Sequence, residues 1–325
     1  MPGSLKAGLG VLLLGLLACS GCSGEGGADS AGRGGVPYAP YVSATTASAT
    51  DRAGSPSAYN LSFVVADGDA CAPVWDDRTE IGAVGVKSRI GKLGSGGADV
   101  RVSFGGASGK ELAATCDSAS ALAAAYARAL DAAGGATLAD FDIEGDELGD
   151  GESTALRAEA IALLQKRRDL DVTFTLPVMP DGLDADSIAL LEAANDKGVR
   201  VSTVNLMTMN YAESYDGDMG GYAITAARAA HTQLKKVFGL SDAGAWKGMA
   251  LTSMLGVNDV DGETFTLSDA AQVRTFARER GIAWVSMWAA FRDVQCKAGT
   301  ATHDPATDCS GVTQEAGAYA RALSG

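Results

Sequence analysis

Short apolar, β-branched runs recur along this chain at 37–43, 61–66, 100–104, 138–144, 172–177, 204–211, 249–255 and 282–288. Between most of them lie Ala- and Leu-rich stretches with apolar residues at helical spacing, at 118–133, 154–168, 184–195, 222–238 and 267–280. Eight strand-like runs alternating with helices over roughly 290 residues predict an α/β fold, a single (β/α)8 TIM barrel over 36–325, rather than a doubly wound sheet. The first units are less clear, because the stretch 44–60 has no convincing helical period. No internal sequence repeat is evident.

One strand breaks the apolar pattern. In Leu138-Ala139-Asp140-Phe141-Asp142-Ile143-Glu144 the acids occupy positions i, i+2 and i+4, so an extended backbone sends all three to one face and Phe141 and Ile143 to the other. Carboxylates held side by side repel, which raises the pKa of at least one and keeps it protonated near neutral pH, as a general acid requires. The competing reading is a calcium loop, since Asp146, Glu147, Asp150 and Glu152 follow. An EF-hand counted from Asp140 would need a bidentate Glu at position twelve, where Gly151 stands. Functional residues of a barrel gather at the C-terminal ends of its strands, so Asp140 is expected deepest and Glu144 at the mouth.

The N-terminus reads as an export signal over 1–22. Lys6 precedes the apolar stretch 8–18, too short to span a bilayer, and Leu16-Leu17-Ala18-Cys19 is similar to a bacterial lipobox. Cys19 is therefore the lipidation candidate, ahead of Cys22, with plain secretion the alternative. A Gly- and Ser-rich linker fills 23–35. The expected location is extracellular, or the cell surface of a bacterium, with membrane contact only through a lipid anchor. Cys71, Cys116, Cys296 and Cys309 remain, an even number that allows two disulfides in three connectivities. Cys296–Cys309, closing a short polar loop, and Cys71–Cys116 are the favoured pairs. A net charge of −14 argues against a nucleic-acid partner. Only His231 and His303 are present, which supplies a His-rich metal site or a Ser-His-Asp triad poorly, so no metal and no cofactor are expected.

With these residues in place the chain resembles the bacterial chitinases of glycoside hydrolase family 18, from about Val36 to its C-terminus. The family's strand-four motif, Asp-x-x-Asp-x-Asp-x-Glu, is matched at its last three acids by Asp140, Asp142 and Glu144, while Thr137 holds the first position. The strand-three Ser-x-Gly-Gly is matched by Ser103-Phe104-Gly105-Gly106, and the strand-eight Trp by Trp288. Further matches are Tyr38-Ala39-Pro40-Tyr41, Met207-Thr208-Met209-Asn210-Tyr211, Leu255-Gly256-Val257-Asn258-Asp259, Phe291-Arg292-Asp293 and the closing Cys309-Ser310-Gly311-Val312-Thr313-Gln314. The chain departs from the family where Met209-Asn210 stands in place of a strand-six Tyr-Asp, and where Ser43 follows the strand-one Tyr41.

The resemblance implies substrate-assisted, retaining hydrolysis of β-1,4-linked N-acetylglucosamine polymers, the exception to the two-carboxylate scheme. It implies Glu144 as general acid, Asp142 as the group orienting the 2-acetamido nucleophile, and Asp140 as the partner sharing its proton. Trp288 is implied as the floor under the sugar. Tyr41, Ser103, Met209, Asn210 and Tyr211 are candidate substrate contacts, with Asn210 and Tyr211 alternatives for the acetamido oxygen. The expected partner is chitin or its oligosaccharides, bound by a monomer. Two alternatives stand beside it: an endo-β-N-acetylglucosaminidase acting on N-glycans, and a non-catalytic oligosaccharide-binding protein, which retention of Glu144 disfavours.

Overall fold

A computed structural model describes residues 35–299 and 308–325. The proposed signal, Cys19 and most of the linker lie outside the described residues. Eight strands run parallel: β1 Tyr41–Ser43, β2 Ala58–Asp67, β3 Asp99–Gly105, β4 Leu138–Asp142, β5 Asp171–Pro177, β6 Val201–Met207, β7 Met249–Met254 and β8 Trp284–Trp288. Each pairs with its successor. The ring closes where Tyr38 bridges Val285, with Ala39 N donating to Val285 O at 3.0 Å and Val285 N to Pro37 O at 2.9 Å. The expected (β/α)8 barrel is the fold.

The helices are α1 Val84–Gly94, α2 Ala119–Ala132, α3 Gly151–Gln165, α4 Ala185–Asp196, α5 Met219–Phe238, α6 Asp242–Lys247, α7 Leu267–Arg280 and α8 Ala318–Ser324. Their starts follow capping chemistry: Ser118, Asp150, Asp184 and Asp218 each accept a backbone N–H of the first turn, and Thr266 with Asp269 forms a full capping box. No regular helix lies between β1 and β2, where the sequence has no convincing helical period. Helix α1 was not expected. Gly85, Gly91 and Gly94 lower its helix propensity, although Val86, Ile90 and Leu93 bury one face at helical spacing. The sixth strand also differs: it spans Val201–Met207, and Met209 and Asn210 lie in the loop beyond it.

The outward faces of the strands build the main core. Phe104, Phe141 and Phe174 share one register row, and Phe104 stacks on Phe141 at 5.3 Å. Burying each such ring is worth about 1.5–3 kcal/mol, which fixes the register that aims the intervening residues inward. Beside this row, Arg157 of α3 and Glu111 form a fully buried ion pair at 2.9 Å, and the Tyr126 hydroxyl donates to the same carboxylate at 2.6 Å.

An antiparallel extension, Ala70–Trp75 and Thr79–Glu80, grows from the end of β2 over the C-terminal mouth of the barrel. The Cys71–Cys116 disulfide clamps it to the segment before α2, and Cys296–Cys309 closes the second, shorter loop. Both expected pairings are present.

Candidate active site

Strand β4 keeps its alternation. Asp140 and Asp142 point into the barrel and are buried, and Glu144, extended just past the strand end at φ −146° and ψ 173°, continues the same face and is half-buried. Depth therefore falls in the order Asp140, Asp142, Glu144. A cavity of about 580 Å³ opens above them, lined by Asp142, Glu144, Tyr41, Trp288, Met209 and Asn210 among others.

Asp140 sits at the centre of a polar layer inside the barrel. Its carboxylate accepts from the Tyr41 hydroxyl at 2.8 Å, Ser103 Oγ at 2.5 Å and Thr175 Oγ1 at 2.6 Å. The layer continues through Asn205 Nδ2 donating to Thr175 Oγ1 at 2.9 Å, and Thr252 Oγ1 donating to Asn205 Oδ1 at 2.9 Å. These partners are polar residues at inward positions of otherwise apolar strands, a signal that would have found Thr175 and Asn205 in the sequence.

The two aspartates differ in electrostatics. Burial raises the pKa of Asp140, while hydrogen bonds from Ser103, Thr175 and Tyr41 and the charge of Arg101 oppose that rise. Asp142 is raised well above the ordinary carboxylate range by burial, then by the charges of Glu144 and Asp140. Its Oδ1 is buried without a hydrogen-bond partner among the described residues. Three hydrogen bonds therefore favour the anion at Asp140, and a proton shared by the pair is favoured on Asp142, which has no such donors at Oδ1. Glu144 is raised by burial and then by the charge of Asp259.

Trp288 ends β8 and presents its ring to the cavity. It stacks on Phe63 at 5.4 Å between ring centres, with Tyr41 edge-on at 5.8 Å. Phe63 was missed because it lies in an apolar run that carries no separate signal. Its position depends on Gly106, at φ +85°, where a Cβ would stand 2.8 Å from the Phe63 ring; the preceding Gly105, at φ +95°, lies against the Asp142 carbonyl oxygen instead. Gly106→Ala is expected to cost about 1–2 kcal/mol through φ alone. Because the new methyl crowds Phe63, which stacks on Trp288, KM should rise as well as the melting temperature fall; thermal unfolding and steady-state kinetics on one sample would check this, and an unchanged KM would contradict it.

Two expected contacts are placed elsewhere. Ser103 is fully buried beneath the cavity and reaches Asp140 rather than the open space, because its strand position lies one layer deeper. Tyr211 turns outward and is 4% exposed, its ring 5.8 Å from Tyr215 and 6.2 Å from Tyr222. Asn210 is the member of that pair that lines the cavity. It adopts φ +52° and pairs with Asp259, its Nδ2 donating to Oδ2 at 3.3 Å and its Oδ1 accepting from Asp259 N at 3.1 Å.

Comparison with known proteins gives consistent relatives. The chain is 36% identical over 251 residues to a protein of Escherichia coli (strain K12) named "Probable bifunctional chitinase/lysozyme", covering 73% of this chain and 28% of that protein. It is 36% identical over 221 residues to endochitinase 11 of Metarhizium anisopliae, covering 64% of this chain and 42% of that protein. The chain thus spans less than half the length of these curated relatives. Among solved structures, the catalytic domain of a hyperthermophilic chitinase from Pyrococcus furiosus superposes with a TM-score of 0.77 at 28% identity, covering 90% of this chain and 96% of that one. A GH18 chitinase from Pseudoalteromonas aurantia, with a TM-score of 0.55 at 14% identity over 78% of this chain and 93% of that one, shares the fold. No family model matches the chain.

Proposed function

We propose that this chain, which belongs to the chitinase-like glycoside hydrolase family 18, hydrolyses β-1,4-linked N-acetylglucosamine polymers with the substrate's acetamido group as nucleophile. The observation that carries this reading is the placement of Asp142 and Glu144 on one strand face, in a cavity walled by Trp288. Glu144 donates its proton to the glycosidic oxygen as the C1–O bond breaks. The acetamido oxygen closes on C1 and forms an oxazolinium ring. Asp142 accepts the acetamido N–H, and its resting proton passes to Asp140. Water then attacks C1 and returns a proton to Glu144, so the product keeps the configuration of the substrate. Protein nucleophiles play no part.

The Pyrococcus furiosus enzyme at 28% identity has been solved complexed with chito-oligosaccharides, which supports the same ligand class here. Digestion of chitin oligomers and a high-mannose glycopeptide side by side, with product masses read out, tests the substrate. Cleavage of the oligomers alone is expected; cleavage of the glycopeptide alone would move the site to N-glycans, and cleavage of neither would leave a binding protein.

Export and surface anchoring belong to the same proposal and rest on Cys19 and the apolar stretch before it. Cys19→Ser is expected to move the protein from the membrane fraction of a bacterial host to the soluble one. A mature mass without an acyl addition would favour free secretion.

A further inference from the structure

Arg101 is a buried cation inside the barrel that the steps above do not use. It stands on β3 two residues before Ser103, on the same inward face, and the register sets Arg101 opposite Leu138 and Ser103 opposite Asp140. Two residues of strand span about 7 Å, so Arg101 belongs to the layer beneath the one that holds Asp140. Asn60 of the neighbouring β2 and Trp284 of β8 complete that layer. Arg101 Nη1 donates to Asn60 Oδ1 at 2.5 Å, and Arg101 Cζ lies 4.7 Å from the centre of the Trp284 ring. From its N-terminal end upward the barrel therefore holds a cation, then Asp140, Asp142 and Glu144.

The buried Arg157 is compensated by direct contact with Glu111. Arg101 has no such partner: its side-chain hydrogen bond goes to a neutral amide, and among the described residues no carboxylate forms an ion pair with it. A buried charge is costly when uncompensated, and an arginine keeps its proton, so the balance has to come from longer range. Burial pulls the Arg101 pKa down, and the charges of Asp140, Tyr41, Asp171 and Asp99, with Asp140 foremost, push it back. Asp171 and Asp99 are exposed at the starts of their strands, where water screens them. Of these acids, Asp140 alone shares the core with Arg101.

Asp140 is faced by the hydroxyls of Tyr41, Ser103 and Thr175, with Arg101 below and Asp142 above, and Asp142 in turn is faced by Glu144. The hydroxyls favour the anion but can rotate to accept from a protonated carboxyl; the Arg101 charge cannot adapt. We propose that Arg101 is a positioning residue for the hydrolysis: its fixed charge beneath the acids keeps Asp140 ionised at rest, so that the shared proton waits on Asp142 and passes to Asp140 only when the acetamido group arrives. This role rests on the hydrolytic reading above and deepens it.

The pH profile tests it. A nearby cation favours the charged form of a carboxyl, so without Arg101 the pair takes up a second proton at higher pH. A doubly protonated pair has no base for the Asp142 proton, and activity is lost on the acid side. In Arg101→Met, which keeps an apolar stem for Trp284, the acid limb of kcat/KM for a chitin oligomer should move up by about one pH unit. The alkaline limb, set by Glu144, should stay, and so should KM at neutral pH, since Arg101 does not line the cavity. Arg101→Lys keeps the charge and should hold the acid limb near its wild-type position. A mere plug at the barrel bottom predicts another pattern, in which the Met and Lys variants lose stability alike and both limbs stay in place.

An acid limb unmoved in folded Arg101→Met, or moved equally in Arg101→Lys, would overturn the inference. Should Arg101→Met not fold, Arg101→Gln, which keeps a donor for Asn60 Oδ1, carries the same expectation; loss of folding in both would make Arg101 structural and overturn it too. A wild-type protein that cleaves no chitin oligomer would defeat the hydrolytic reading, and this inference with it. Cleavage with a limb indifferent to the charge at position 101 would defeat this inference alone.

Discussion

Glu144→Gln is expected to lower turnover of chitin oligomers by about 10²–10⁴-fold while leaving the fold and oligomer affinity in place, because it removes only the transferable proton. The amide is isosteric, and Glu144 is only half-buried at the cavity mouth, so little packing is disturbed. Steady-state kinetics beside calorimetric binding would separate the two effects. More than about a tenth of wild-type turnover in the variant would remove Glu144 from the role. The pH profile carries the same information. Burial and the charge of Asp259 raise the Glu144 pKa, so its proton is retained further toward neutrality, and kcat/KM should fall as pH rises through that raised value. Asp259→Asn should move this falling limb to lower pH, since one of the charges that raises Glu144 is gone.

Asp142→Asn is the second large effect, and it runs in two directions. Turnover is expected to fall by about 10²–10³-fold, the usual cost of losing one preorganised electrostatic partner to a developing charge. Stability should rise. The folded-state pKa of Asp142 lies well above its unfolded value, so its contribution is fully present below the unfolded pKa and is lost as pH rises through the folded one. At neutral pH the wild type therefore carries a penalty that the amide does not. Thermal unfolding across pH should show the variant more stable near neutrality, with the gap closing under acid conditions. A variant that lost both turnover and stability near neutrality would make Asp142 a structural residue.

The barrel was legible because strand and helix periods alternate cleanly from β3 onward, and the Phe104, Phe141 and Phe174 row gives each strand one unambiguous outer face. The acidic strand was legible for the same reason: Phe141 and Ile143 between the acids leave only one register in which the apolar residues are buried. Other parts of the site depend on contacts between distant segments. Phe63 meets Trp288 only because Gly106 leaves room for its ring, and a residue in an apolar strand shows no trace of that. Ser103 matches a family motif, yet its role follows from lying two register rows below Gly105, where it donates to Asp140. Asn210 and Tyr211 are neighbours in sequence, and the left-handed φ of Asn210 decides which of them faces the cavity.

The central claim is that the acetamido group of the substrate, held by Asp142, performs the displacement at C1. Its most direct test is the inhibition constant of a thiazoline derivative of chitobiose, which carries the shape of the oxazolinium ring, measured against that of chitobiose itself. Binding of the thiazoline at least about 10²-fold tighter, competitive with substrate and weakened in Asp142→Asn, is the expected result for a transition-state mimic. Equal affinity for the two compounds, or a sugar ester trapped on any Asp or Glu of the protein, would contradict it.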